Sequence, residues 1–380
     1  MNILHICSNY IGNKLYKELF YRFSTEKEVN FNQHIYIPVR HENLINRNKF
    51  KKNNVTFYYD NVLLKRDRIL YGSKIKKQLN QIESHIKEIK TIDLIHAHTL
   101  YSDGGTAYLL KRKFNLRYIV SVRATDINLF YKYGIHLRGF IKKVLQHAEA
   151  IVFISHAYKE KTFEILPLDV VKSIKKKVYV IPNGIDESWF NKEIGNKQEK
   201  DNKKKEMLFT GKIDKNKNLR RVLEALKELN RQGDQYFLHI AGEGPLKEEL
   251  EGYAQKLGLS SEIKFYGHVN KEELIKIMDR VDIFVLPSIH ETFGISYIEA
   301  LSRGIPIIYS KKQGIDGFFE EGQVGYSVDP LNVQDIASKI RLIGNFTDSI
   351  STECILQSEN FSWSLIGKEY KHLYLKSAEN

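Results

Sequence analysis

Glu291 and Glu299 stand eight positions apart in IHETFGISYIEALSRGIPIIYS, residues 289–310, with Phe293 and Gly294 between them. The glycine marks the change from loop to helix, so the N–H groups of Gly294, Ile295 and Ser296 are donors without helical acceptors at the positive end of a helix. Such a place suits a phosphate. Glu291 falls in the loop and Glu299 about one and a half turns inside the helix, so the two do not form an acid/base pair on one face. They are expected to touch different parts of one extended ligand, and a carboxylate beside a phosphate-binding helix start suits ribose hydroxyls. Upstream, FTGKIDKNKNL ends a strand at Gly211 and offers Lys212 and Lys217, either of which can reach a pyrophosphate. Two further strand-end glycine turns follow, AGEGPL at 241–246 with Gly242 and Gly244, and GHV at 267–269. Taken singly, each is an ordinary βα loop.

The elements that must position these residues alternate along the chain. Short β-rich runs (NILHICS, HIYIPV, DLIHAH, RYIVSV, AIVFIS, KVYVIP) are separated by helical patterns such as KLYKELFYRF, the signature of a mostly parallel sheet wrapped by helices. Ile75, Leu79, Ile82, Ile86 and Ile89 recur at helical spacing through a lysine-rich segment and are expected to pack on that sheet. After VIPNGIDESWF comes NKEIGNKQEKDNKKKEM, polar and without periodicity, the natural domain boundary. A second α/β series then runs from MLFTG to PIIYS. The expected division is an N-terminal domain over 1–190, a linker over 191–205, a second domain over 206–361 and a C-terminal helix over 362–380 that packs back on the first. Two such domains facing a cleft would bind ligands beyond the carboxyl ends of their strands.

A chain of 380 residues is too long for one ordinary core. The net charge of +13 is unevenly spread: residues 1–200 hold 35 Lys and Arg against 19 Asp and Glu, and residues 201–380 hold 24 against 27. An anionic partner for the first half is therefore expected, with nucleic acid, an anionic lipid surface and a phosphorylated substrate as the candidates. Cys7 and Cys354 lie far apart without metal or redox spacing, and the chain opens on MNILHICSN without a charged-then-apolar leader. Both features read as a reduced, cytoplasmic protein. No apolar run approaches the roughly 20 residues that cross a bilayer, so membrane contact is expected to be peripheral.

In this order, GK…K, GEGP, FYGHV and PSIHETFG…EALSRGIP resemble the donor domain of the retaining glycosyltransferases of family 4, which have the GT-B fold of two Rossmann-like, doubly wound α/β domains facing a cleft. DLIHAH, SVRATD, VFISHAYKE and IPNGID extend the resemblance through the first half. It implies that Glu299 holds the nucleotide ribose, that Glu291 contacts the donor sugar, and that Lys217 with Lys212 holds the diphosphate. Gly12 would carry the glycine loop after the first strand. In two places the chain departs from the family pattern. Lys212 stands where most members have an arginine, which keeps the charge and loses the bidentate fork. Arg123 stands where many have a histidine near the donor sugar, and it suits a phosphate of donor or acceptor equally. His96 and His98 sit at a strand end, and His98 with Asp126 are candidates for acceptor or sugar contacts.

The chain has no Asp-x-Asp pair and no His, Cys and Asp cluster with metal spacing, so metal-independent catalysis without a cofactor is expected. The resemblance implies a nucleotide-sugar donor and a glycan or lipid-linked acceptor, at the inner face of a cell membrane. The rivals are a nucleotide-sugar epimerase or phosphorylase of similar architecture and, from another class, a nucleic-acid-binding protein. A pyridoxal phosphorylase needs a buried Schiff-base lysine that nothing singles out. A nucleic-acid binder would leave the strand-end glycines unexplained.

Overall fold

The computed structural model describes residues 1–12, 14–25, 31–68, 70–190, 204–344 and 348–379. The chain divides into two compact units: the first comprises 1–154, 158–183 and the residues from Trp363, and the second comprises 155–157 and 184–362. The expected linker lies outside the described residues except at Lys204 and Lys205.

The first unit holds strands β1 (Asn2–Ile6), β2 (Asn32–Val39), β3 (Val55–Asn61), β4 (Leu94–Ala97), β5 (Tyr118–Val122), β6 (Ala150–Phe153) and β7 (Val178–Val180). They form one parallel sheet in the order β3-β2-β1-β4-β5-β6-β7. Strands β4, β5 and β6 are buried at every position, as near-continuous apolar runs in a sheet covered on both faces must be. The helices are α1 (Leu15–Thr25), α2 (Tyr71–His85), α3 (Ser102–Phe114), α4 (Arg138–His147), α5 (His156–Ile165) and α6 (Leu168–Ile174).

The second unit repeats the plan with β8 (Lys205–Thr210), β9 (Tyr236–Ala241), β10 (Ile263–Gly267), β11 (Ile283–Val285), β12 (Ile307–Ser310) and β13 (Gly325–Val328), parallel in the order β10-β9-β8-β11-β12-β13. Its helices are α7 (Leu219–Arg231), α8 (Lys247–Lys256), α9 (Lys271–Met278), α10 (Ile295–Ser302), α11 (Val333–Gly344) and α12 (Asp348–Glu359). Helix α7 shows why the pattern folds: Leu219, Val222, Leu223, Leu226 and Leu229 make one buried stripe, while Arg220 and Arg221 pair with Glu224 on the outer face. In each sheet the strand order reverses at one point, between β1 and β4 and between β8 and β11, and ligands of such sheets bind at that reversal.

The last helix, α13 (Trp363–Glu379), belongs to the first unit. Tyr370, Leu373 and Tyr374 enter one core with Ile3, Phe20 and Phe23, and Arg22 donates to Ser364 Oγ at 2.6 Å.

Three features differ from the sequence reading. The first unit ends at Asn183, earlier than position 190, because the following segment turns onto the second unit: Ile185 N donates to Phe361 O at 2.8 Å and Trp189 is buried under Lys271. The isoleucine stripe outlasts its α-helix, since α2 stops at His85 while Ile86 enters the same core from the turn that follows and Ile89 from a short 3-10 helix, Ile89–Thr91. Strands β3 and β13 are additional edge strands.

Candidate active site

In the second unit, the loops after β8 and β9 run backbone against backbone. Gly211 N donates to Ala241 O at 3.0 Å, Gly242 N to Gly267 O at 2.8 Å, and Ile213 N to Glu243 O at 2.9 Å. A Cβ on Gly242 would lie 1.8 Å from Gly211 O, and one on Gly244 would lie 2.2 Å from Ile213 O. Close approach therefore dictates glycine at both positions. Beyond these strand ends opens a cavity of about 410 Å³, lined by Thr210, Gly211, Lys212, Gly242, Glu243 and His268 among others. Lys212 lies at its rim with a 67% exposed side chain, 3.8 Å from Asp214.

The β8–α7 loop is also tied to the loop after β11, across the reversal point. Asp214 Oδ1 accepts from Asn216 N and Lys217 N at 3.0 and 3.1 Å. Asn216 exchanges side-chain hydrogen bonds with the N–H and C=O of His290, at 3.1 and 2.9 Å. Asn218, at φ +62°, donates from Nδ2 to Pro287 O and Pro330 O. So held, Lys217 places Nζ 2.6 Å from Glu291 Oε2. The glutamate is fixed in turn, with Thr292 N donating to Oε1 at 3.1 Å and Ser288 Oγ donating to Oε2 at 3.4 Å.

Directly after Glu291, Gly294 caps α10 at φ +87°, where a Cβ would strike the Tyr297 ring at 2.3 Å. No side chain caps this helix start, which leaves the first N–H groups, those of Ile295 and Ser296, pointing out of the helix end. The structure thus brings Lys217, Glu291 and the α10 start together. Glu299 sits further along α10, half-buried, and burial pushes its carboxyl up to about 7 against the opposing pull of the Lys271 charge.

In the first unit the candidates have other partners. Gly12 closes a 3-10 turn after β1, its N donating to Asn9 O at 3.0 Å, and a Cβ there would meet nothing within 4 Å. Nothing in its surroundings requires glycine. Asp126 is buried and accepts from Leu100 N, Tyr101 N and Arg123 N at 3.0, 3.2 and 2.8 Å, so its oxygens fasten two strand-end loops together. Burial outweighs these bonds and raises its carboxyl to about 6. Arg123 Nε donates to His98 O at 3.2 Å, with the guanidinium over the Tyr16 ring.

His98 is buried in a cluster with His5 and His96 whose ring nitrogens lie within 4.8 Å of one another. The first half of the chain thus brings together a trio of potential metal ligands that linear spacing did not reveal. The surroundings of the trio weigh against a divalent cation: His96 bonds Tyr374 OH and Ser121 Oγ, His5 Nδ1 meets His98 Nε2 at 3.2 Å, and the Arg123 charge is close enough to act on both His96 and His98. Burial holds all three imidazoles neutral, His5 down to about 3. Sequence reading also missed Asp103 at the start of α3, which takes Ser8 N and the Ser8 hydroxyl and is raised by burial to about 6. The Ser-Asp-Gly-Gly run that opens α3 was its one sequence signal.

Residues 46–189 match the family described as Glycosyltransferase Family 4, and residues 190–345 match Glycosyl transferases group 1. The chain belongs to the family 4 glycosyltransferases of GT-B fold. An uncharacterised glycosyltransferase of Methanocaldococcus jannaschii is 28% identical to it over 305 residues, 74% of this chain and 75% of the relative. Among solved structures, the lipopolysaccharide outer core galactosyltransferase WaaB in its apo form superposes with TM-score 0.76 at 17% identity, over 99% of both chains. The Anabaena protein HepE, solved in complex with UDP, gives TM-score 0.73 at 15% identity over 99% of this chain and 100% of its own. In this glycosyltransferase the tied loops at the β8/β11 reversal are the candidate donor site.

Proposed function

We propose that this glycosyltransferase moves a hexose or N-acetylhexosamine from a nucleotide-diphosphate sugar, UDP in preference to GDP, to a glycan or lipid-linked acceptor in cell-surface polysaccharide synthesis, with retention at the anomeric carbon. The observation that carries this reading is Lys217, held by Glu291 beside the uncapped start of α10. As the bond between the anomeric carbon and the β-phosphate oxygen breaks, its electrons leave with the nucleoside diphosphate. Lys217 and the α10 N–H groups offer fixed positive charge where that negative charge grows. A diphosphate competes with Glu291 for the ammonium, and the freed carboxylate can then accept from donor-sugar hydroxyls. The acceptor oxygen attacks from the side the phosphate leaves and passes its proton to the departing phosphate oxygen, so no protein nucleophile is needed. With the charge supplied by side chain and backbone, turnover is expected to persist in EDTA. HepE, solved with UDP, supports the choice of nucleotide, and WaaB, a lipopolysaccharide galactosyltransferase by name, supports that of acceptor class.

Glu299 is assigned to the ribose, and this gives a pH dependence with a defined sign. Ribose hydroxyls donate to a carboxylate, and the free carboxyl titrates at about 7. The binding-competent form is therefore lost as pH falls through 7, and UDP affinity should drop by about tenfold for each unit below that value. Above 7 it should level off. Glu299→Gln should bind weakly with a flat profile; a wild-type affinity independent of pH across this range would remove the role.

Thermal denaturation with UDP, GDP or ADP in EDTA tests the whole reading. Binding to the folded state alone adds about 2.7 kcal/mol at a hundredfold excess over Kd. UDP should give the largest shift, and no shift from any of the three at millimolar concentration would defeat the proposal.

The basic first half leads us to assign the protein to an anionic membrane surface, peripheral and on the cytoplasmic side. Among the described residues, no helix is long and apolar enough to cross a membrane. Several lysines of this half are paired, Lys111 with Glu149 and Lys113 with Glu83 at 2.7 Å, Lys142 with Asp169, and Lys177 with the carbonyls of Gln146 and Ala148, whereas Lys143, Lys172, Lys175 and Lys176 are exposed.

A further inference from the structure

The crossover from β2 to β3 lacks the α-helix that usually joins two parallel strands. Residues 40–54 cover the distance with only a 3-10 turn, Glu42–Leu44, and are fastened by side chains from outside the loop. Asn48, at φ +64°, donates from Nδ2 to Tyr10 O at 3.1 Å and accepts from Tyr10 OH at its own carbonyl at 2.9 Å, and Tyr59 OH donates to Arg47 O at 2.7 Å. Beside this fixed loop opens a cavity of about 640 Å³, bordered by Phe50, Phe57 and the amino end of β3. It therefore lies away from the carboxyl strand ends that carry His98 and Arg123.

The side chains round the cavity narrow the choice of ligand. Phe50 meets Tyr21 and Phe57 edge to face, with ring centres 5.5 and 5.1 Å apart, and Tyr21 is 43% exposed. Lys49, Lys51, Lys52 and Asn53 border the same space, and no acidic residue is among the described residues that line it. Lys49 Nζ donates to Asn46 Oδ1 at 3.2 Å and Lys52 Nζ lies 5.1 Å from the Tyr21 ring centre, while Lys49 and Lys51 are exposed. The loop as a whole holds five Lys and Arg and five Asn against one Glu. Aromatic rings offer a negative face to the weakly positive C–H groups of a pyranose, amides exchange hydrogen bonds with its hydroxyls, and ammonium groups bind a carboxylate or phosphate. The combination suits a charged sugar better than a bare anion.

We propose that this cavity is a second glycan site, which holds a saccharide bearing a carboxylate or phosphate, with Phe50 and Phe57 against the sugar ring and Lys49, Lys51 and Lys52 on its anion. The site lies outside the transfer reaction and rests on the glycosyltransferase reading for its purpose, which is to tether an acidic polymer away from its reacting end. None of these residues belongs to the candidate donor site.

Thermophoresis and saturation-transfer NMR with hexagalacturonate, pentamannosyl phosphate and neutral maltohexaose test the site on the full chain. The wild type should bind an acidic sugar about tenfold or more tighter than maltohexaose, with saturation reaching the ring C–H protons, and the tighter of the two acidic sugars identifies the anion as carboxylate or phosphate. Lys49→Ser, Lys51→Ser and Lys52→Ser together should weaken that binding by about tenfold, as expected for three solvent-exposed ion pairs. Phe50→Ala should abolish saturation transfer, and because Phe50 also packs on the core, the lysine variant decides the matter if the alanine variant does not fold. The UDP-induced thermal shift, read on each protein, reports folding and the donor site independently. Absence of that shift in a wild type that binds acidic sugar would count against the proposed function and for the glycan site. No binding of either acidic sugar by the wild type, undiminished binding by the lysine variant, or a DNA duplex that displaces the sugar and binds as tightly would each overturn the proposal, the last in favour of unspecific charge attraction.

Discussion

Lys217→Ala is expected to lower kcat by about 10²- to 10³-fold, the range for removing one preorganised donor from the place where transition-state charge develops. The change also leaves Glu291, with only 12% of its side chain exposed, without its cation. Such an orphaned carboxylate costs about 1–3 kcal/mol. The two residues should therefore not behave additively: once Lys217 is gone, Glu291→Ala relieves the unpaired charge, and the double variant should be more stable than the lysine variant alone. Lys217→Arg should fold normally and recover part of the rate, because it keeps the charge and changes the reach. Steady-state kinetics with a UDP-sugar and urea midpoints give both readouts. Turnover within tenfold of wild type for Lys217→Ala would remove the lysine from the reaction.

Gly242→Ala is expected to destabilise the protein by about 3 kcal/mol or more, at the upper end for overpacking. The obstacle is backbone, Gly211 O at 1.8 Å from the new Cβ, and a carbonyl in a strand-end loop has no alternative rotamer. Relief requires separating the β8 and β9 loops, which would also open the cavity they border and weaken nucleotide binding. Gly12→Ala is the control, since a methyl there meets nothing within 4 Å, and its stability should stay within about 0.5 kcal/mol of wild type. Equal urea midpoints for Gly242→Ala and wild type would contradict the packing described.

What the sequence made legible were features that a local pattern can encode. The glycine before α10, the carboxylates on either side of it and the strand-end Gly211 lie in stretches short enough for periodicity and turn chemistry to place them. The loop ties could not be read this way. Asn216 and Asn218 look like ordinary polar loop residues, and their role appears only when strand order brings residues 287–292 beside them. The histidine cluster joins β1 to β4 across some ninety positions, a pairing that the sheet register makes and the sequence conceals. The charge count of the first half hides its partners for the same reason: Glu83, Glu149 and Asp169 reach Lys113, Lys111 and Lys142 from other elements. The exposed residues from Leu129 to Ile135 have an apolar composition that alone suggests burial, and only the pinned turn beneath them reverses it.

The central claim is that the loops at the β8/β11 reversal bind a nucleoside diphosphate with Glu299 on its ribose. Calorimetric titration of UDP into the wild type and Glu299→Ala, in EDTA and above pH 7 where the carboxyl is ionised, tests it most directly. The account predicts one site on the wild type and an affinity lower by about 5- to 150-fold in the variant, the equivalent of 1–3 kcal/mol for a lost charge-assisted hydrogen bond. Equal affinities, or no heat of binding to the folded wild type, would contradict it.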